Sequence, residues 1–173
     1  MKIAISVEST VDLSKELIKQ YNLEMIPFTV LLGETAYLDG EITSQDIFDF
    51  VAKEKVLPRT SAINDFQYRE HFDNLLAKGY DAIIHISLSS EISSSCSHAM
   101  QIATKYDNVY IIDSKNLSTG IALLAIYAAK LRDKGLKPEA IVEKVNARSL
   151  MFKQALLFKH LNIYIKVVVA QAY

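Results

Sequence analysis

One transition in the chain restricts its fold more than any other. The apolar run Ala82–Ile86 leads directly into Ser87–Ser97, where seven of eleven residues are serine, and a helical pattern follows over His98–Tyr106. A short apolar strand, a polar turn and a helix in direct succession form the βα unit of an α/β protein. Such proteins hold ligands at the carboxyl ends of parallel strands, facing the first turn of the next helix. Serine hydroxyls and free backbone N–H groups there suit an anionic head group, because a helix N-terminus carries partial positive charge. The stretch contains neither a strong base nor a metal-ligand cluster, so it is built for holding a ligand, not for cleaving one.

The remaining sequence repeats this alternation. Ile3–Val7 reads as a strand, and Leu13, Leu17, Ile18 and Tyr21 mark one helix face. Met25–Leu32 reads as a second strand, with Pro27 at an edge or irregular position. Leu38-Asp39-Gly40 is a turn. Thr43 or Ser44 caps a helix whose inward face is Ile47, Phe48 and Val51. Pro58–Ser61 is a loop. Asn64 caps a helix carrying Tyr68, Phe72, Leu75 and Leu76, which stops at Gly79. Val109–Ile112 is a further strand. A helix from about Ser118 ends at Gly135, and Pro138 opens another. The fold expected is α/β, a mostly parallel sheet flanked by helices.

Composition narrows the function. Half of the 173 residues are apolar, which supports one domain with a real core. A net charge of −1 gives no electrostatic case for nucleic acid or an anionic membrane. The single cysteine, Cys96, excludes an intrachain disulfide framework, suits a reducing compartment and leads us to expect a cytoplasmic protein. Leu117–Leu131 is apolar almost all round but too short to span a bilayer, so it reads as a helix buried on more than one side. Cys96 and His98, two positions apart, do not face each other on a helix. His85 lies in an apolar strand and reads as a satisfied core histidine. Asp12, Asp39 and Asp113 read as caps and Asx-turns. No Walker lysine loop, dinucleotide glycine motif or nucleophile elbow is present.

The motifs ESTVDL (Glu8–Leu13), YLDG (Tyr37–Gly40), PRTS (Pro58–Ser61), ISLSSEIS (Ile86–Ser93) and IDSK (Ile112–Lys115) together resemble those of the DegV family, bacterial lipid-binding proteins that act as acyl-carrier subunits of fatty acid kinase. Glu8-Ser9-Thr10-Val11-Asp12-Leu13 resembles the family's DSTSDL turn. Tyr37-Leu38-Asp39-Gly40 matches its YLDG turn, and Pro58-Arg59-Thr60-Ser61 its P-x-T-S loop. Ile86-Ser87-Leu88-Ser89-Ser90-Glu91-Ile92-Ser93 resembles ISLSSGLS, and Ile112-Asp113-Ser114-Lys115 resembles IDSK. They occur in family order and spacing from Lys2 to about Ala147. The resemblance implies a non-enzymatic protein without a cofactor, which binds a long-chain fatty acid and presents its carboxylate to the catalytic subunit of a fatty acid kinase. It implies that Thr60, Ser61 and Ser93 hold that carboxylate, with a second domain completing the site. Glu91 and Ser94 stand where the family has glycine, Ala62-Ile63-Asn64 replaces Gln-Pro-Ser, and Glu8 replaces aspartate. The alternative is a small α/β hydrolase or transferase using the serine-rich turn, which needs a base beside a serine.

Residues 1–148 are therefore expected to form a DegV-like amino-terminal α/β domain, and 149–173 a tail read out of frame in place of the second domain. Suppose each codon of the tail supplies the last two bases of a shifted codon. Val167-Val168-Val169 then permits Gly-Gly-Arg, and with chosen codons Met151–Tyr173 can be written HVQTSFVIQTLKYLYKGGRCSSL. This carries the TSFV, TLKYL and GGR elements of the family. A chain so truncated is expected to bind ligand poorly and to leave apolar surface uncovered, with the Leu117–Leu131 helix a candidate. Leu156, Leu157 and Leu161 suit a helix, and Ile163, Ile165, Val167 and Val169 alternate as a strand does. The expectation is a homo-oligomer joined through the tail.

Overall fold

The computed structural model describes residues 1–149; the reading of the tail as out of frame and interface-forming falls, Ser149 apart, on residues outside these. The strands are β1 (Ile3–Glu8), β2 (Leu23–Ile26), β3 (Thr29–Leu32), β4 (Thr35–Leu38), β5 (Arg59–Ser61), β6 (Ala82–Ser87) and β7 (Val109–Asp113). The helices are α1 (Lys15–Gln20), α2 (Ser44–Glu54), α3 (Asp65–Ala77), α4 (Ser95–Ala103), α5 (Thr119–Asp133) and α6 (Pro138–Ser149).

Two sheets form. The main sheet is parallel throughout, in the order β2-β1-β6-β7. A smaller antiparallel sheet has the order β4-β3-β5. Every residue of β1 and β6 is buried. Their sequences run apolar with little alternation because a parallel sheet is covered on both faces. α3 packs on β6, and α4 packs on β6, β7 and α3. α5 lies on β1 and β6, and α6 packs on β6, β7 and α5. Ile5, Val7, Ile84 and Ile86 alternate with the residues that meet α3, so they face the opposite layer.

Local signals explain the helix starts. The Thr43 hydroxyl accepts from Asp46 N and the Asp46 carboxylate accepts from Thr43 N, a reciprocal cap that opens α2. Asn64 and Gln67 do the same for α3. Eight of the fifteen residues of α5 are buried, as expected for a helix covered on several sides.

Four readings of the sequence need correction. Met25–Leu32 is not one strand: Pro27 breaks it, with β2 joining the parallel sheet and β3 the antiparallel one. Pro58–Ser61 is not simply a loop, since Arg59–Ser61 pairs with β3. Phe48 does not face inward; it is 65% exposed, and α2 has no buried residue. α5 is mostly core and not an uncovered apolar face: its buried side chains join the core, and Leu123 is its exposed large apolar side chain. The large exposed apolar side chains include Phe48 on α2 and Val56 and Leu57 between α2 and β5.

Candidate ligand-binding edge

The strand order reverses between β1 and β6. The chain enters the sheet at β1, moves outward to β2, and returns to the other side of β1 with β6 and then β7. The crevice at the carboxyl ends of β1 and β6 is therefore the topological switch point, the favoured ligand position in an open α/β sheet. Glu8 ends β1 there and Ser87 ends β6, both fully buried.

Glu8 fills the floor of this crevice with its own carboxylate. Its Oε1 accepts from Ser87 Oγ at 2.7 Å and from the Tyr68 hydroxyl, while its Oε2 accepts from Leu88 N at 2.7 Å. Burial pushes the Glu8 carboxyl up, but His85 and the donors from Tyr68 and Leu88 outweigh it, and the group is held below the ordinary carboxylate range. The Tyr68 hydroxyl is pushed up, by burial first and by the Glu8 charge second. Glu8 thus anchors the first residues of the serine-rich turn.

The turn is a network of local bonds. Ser89 N donates to Asn116 O at 3.1 Å, and Ser89 O accepts from Ile92 N and Ser93 N. Ser89 Oγ accepts from Glu91 N at 3.2 Å. Ser90 Oγ donates to Asp113 Oδ2 at 2.6 Å and accepts from Lys115 Nζ at 3.0 Å. Asp113 also takes Lys115 Nζ at 2.7 Å and Lys115 N at 3.0 Å, the latter closing an Asx-turn. Burial raises the Asp113 carboxyl, and the Lys115 and Ser90 donors more than reverse this. Ser93 Oγ caps the start of α4, accepting from Ser95 N at 3.2 Å and lying 3.0 Å from Ser95 Oγ.

The three residues expected to hold a carboxylate occupy two different supports. Ser93 is half-buried in the turn. Thr60 and Ser61 are exposed on β5, paired with Val30 and Thr29. One bond joins the two supports: Ile63 N donates to the buried Ser95 Oγ at 3.1 Å. Ser95 also touches Ser93, so the segment after Ser61 is tied to the serine-rich turn at one edge. No hydrogen bond joins Thr60 or Ser61 to Ser93 among the described residues. Glu91, which replaces a family glycine, is exposed.

Glu8, Ser95 and Asp113 tie this edge together through their hydrogen bonds, and motif reading gave only Asp113 such a part, as an Asx-turn. Glu8 carried a signal, since it is the acidic residue of the first motif and immediately follows an apolar strand. Ser95 did not stand out among its neighbouring serines. Cys96 is buried, and its thiol is pushed up to about 11, chiefly by burial and then by the Asp113 charge. His98 bonds Asp65 Oδ1 at 2.6 Å, and no serine hydroxyl is hydrogen-bonded to it among the described residues. The described residues contain no group of three side chains able to hold a metal ion, and no helix among them is long and apolar enough to cross a membrane.

Residues 2–164 match the family described as "Uncharacterised protein, DegV family". The chain belongs to the DegV family. A DegV domain-containing protein of Clostridium perfringens is 32% identical over 165 residues, covering 93% of this chain and 58% of that protein. DegV of Bacillus subtilis, a fatty acid binding protein, is 31% identical with a TM-score of 0.78, covering 86% of this chain and 54% of its own. A stearic acid-binding protein from Eubacterium ventriosum is 28% identical with a TM-score of 0.73, covering 85% of this chain and 53% of its own. The chain thus spans little more than half the length of the DegV relatives it matches. Its parallel sheet and flanking helices are the DegV fold.

Proposed function

We propose that this chain is the carboxylate-holding half of a fatty-acid-binding protein, with Thr60, Ser61 and Ser93 as the head-group residues. The bond from Ile63 N to Ser95 Oγ carries this reading. It brings the chain leaving Thr60-Ser61 to the turn that presents Ser93, at the carboxyl edge of a parallel sheet. Hydroxyls and backbone amides at such an edge suit a carboxylate and supply no nucleophile-base pair. The relatives that bind fatty acids share the fold over this region.

The bound molecule is a long-chain fatty acid, and the protein presents its carboxylate to the catalytic subunit of a fatty acid kinase. The kinase performs the chemistry, and this chain performs none. Residues 1–148 act as one DegV-type domain, and 149–173 are read out of frame. The exposed Phe48, Val56 and Leu57 favour association into a homo-oligomer. The protein works in the cytoplasm.

The test is calorimetric titration of the chain with stearate, beside its Ser93→Ala variant and a two-domain form read in frame through the tail. Stearate should bind the two-domain form more tightly. Ser93→Ala should weaken binding there by roughly 1.5–3 kcal/mol, the usual contribution of a hydrogen bond to a charged group. Unchanged affinity in the Ser93 variant would remove the head-group assignment. Failure of the two-domain form to bind any fatty acid would remove the function.

A further inference from the structure

A chain of polar side chains crosses the core behind the ligand edge. His71 Nε2 lies 2.8 Å from Ser6 Oγ, and Ser6 Oγ lies 2.9 Å from His85 Nδ1. His85 Nε2 then faces Glu8 Oε1 at 3.7 Å, an ion-pair distance too long for a hydrogen bond, and this nitrogen has no hydrogen-bond partner. Ser6, Glu8 and His85 are fully buried. At its other end the chain opens on a cleft lined by His71, Glu24, Met25, Asn74 and Lys78. The chain thus runs from a lateral cleft to the carboxylate that anchors Ser87 and Leu88.

Hydrogen-bond accounting fixes its direction. Ser6 has one hydroxyl proton, so it donates to one imidazole and accepts from the other. Glu8 is an anion, so the ring nitrogen of His85 that faces it, Nε2, is the one best placed to carry a proton. Nδ1 of His85 is then the acceptor, the Ser6 hydroxyl donates to it, and Ser6 Oγ accepts from Nε2–H of His71. Nδ1 of His71 is then left as a lone pair.

We propose that Glu8 is the positioning residue of the serine-rich turn, and that its hold is set by protons passed from the cleft through His71, Ser6 and His85. A proton arriving at His71 Nδ1 releases the Nε2 proton of that ring to Ser6. Ser6 passes its hydroxyl proton to His85 Nδ1. His85 becomes an imidazolium beside Glu8, and His71 ends as the other neutral tautomer. One proton has entered, and no other bond is made or broken. The imidazolium draws Glu8 Oε1 toward Nε2, in competition with Tyr68 and Ser87, and loosens the Leu88 N–H bond. The groups facing this chain are Tyr68 on α3, Cys96 on α4, Glu24 on β2 and Lys78 after α3. Burial above all lowers His71 to about 3, so an entering proton does not rest on His71.

The proposal concerns the turn whether or not it holds a fatty acid, and its test needs no ligand. Nitrogen-15 histidine spectra of the whole chain should show His85 protonated at Nε2 and His71 protonated at Nε2 at neutral pH. On acidification His85 and the Leu88 amide should share one inflection, the amide moving as its bond to Glu8 weakens. Ser6→Ala should abolish the fixed tautomer of His71. Should that buried variant fail to fold, His71→Gln at the cleft serves, and should slow proton exchange at His85, because it removes the entry point of the relay. The opposite tautomer at His85 overturns the proposal. So does a Leu88 amide that does not follow His85, the absence of any His85 inflection before acid unfolding, or unchanged proton exchange at His85 in His71→Gln.

Discussion

The two sheets of this protein are supported in opposite ways. β1 and β6 have every residue buried between helical layers, whereas β5 is wholly exposed and β4 nearly so. The proposed site draws on both: Ser93 follows the buried sheet, and Thr60 and Ser61 lie on the exposed one. One half of the site is therefore held by the core, while the other is held by three short strands and the bond from Ile63 to Ser95. Short exposed strands have little apolar burial to stabilise them, so local opening of the small sheet should cost less than global unfolding.

The largest test of this contrast compares two phenylalanines. Phe72 is fully buried and packs on Tyr68, His85 and Tyr106. Phe72→Ala should destabilise the fold by roughly 3–5 kcal/mol, the cost of lost transfer energy and a cavity. Phe48→Ala, in a helix without a buried residue, should change stability by less than about 0.5 kcal/mol. Urea unfolding of both variants checks this, and similar losses at the two sites would show that the small region is as tightly packed as the core.

Glu8 gives the next effect and fixes its pH dependence. Its carboxyl is held below the ordinary range in the fold, so its stabilisation is complete above the unfolded carboxyl value and declines as pH falls through the folded one. Glu8→Gln should cost roughly 1.5–3 kcal/mol at neutral pH, since it loses charge-assisted bonds from Tyr68, Ser87 and Leu88. The penalty should shrink as acid protonates the native carboxylate. Unfolding midpoints of both proteins across the acidic range should converge, and a constant gap would rule out an ionised Glu8.

Ser95→Ala addresses the joint itself. It leaves the buried Ile63 N–H without an acceptor, at a cost of roughly 1–3 kcal/mol. The loss should appear mainly as faster hydrogen exchange at Val30 and Leu31, which face β5 across the small sheet, with β1 and β6 little changed. Uniformly faster exchange through both sheets would show one cooperative unit in place of two.

The same contrast explains what the sequence revealed. β1, β6 and α3 were legible because burial imposes apolar runs and regular spacing, and Asn64 and Gly79 bracket α3 with ordinary end signals. The small sheet was obscure because exposed strands carry no such pattern: Arg59–Ser61 reads as loop, and Pro27 hides the break between β2 and β3. α4 begins at Ser95, three residues before the apparent start at His98, because serine is a weak helix former and a run of serines does not look helical in sequence. The edge itself was visible in the serine-rich turn. The chain from His71 to Glu8 was not, because its partners lie 65 and 79 residues apart in sequence and meet only through parallel pairing of β1 with β6 and the packing of α3.

Lys55→Gly should give the smallest effect, with the opposite sign. Lys55 ends α2 in the left-handed region at φ 55, donating its N–H to Val51 O. A side chain makes this conformation costly, and glycine adopts it freely at a helix end, although glycine also gains freedom in the unfolded chain. The net gain should be about 0.5–1 kcal/mol. Where that gain appears decides the comparison. If α2 and the small sheet open separately from the core, Lys55→Gly slows hydrogen exchange within α2 and leaves the global unfolding midpoint unchanged. A rise in the global midpoint of the size expected from the full gain would mean that α2 unfolds with β1 and β6, and that both halves of the proposed site share one support.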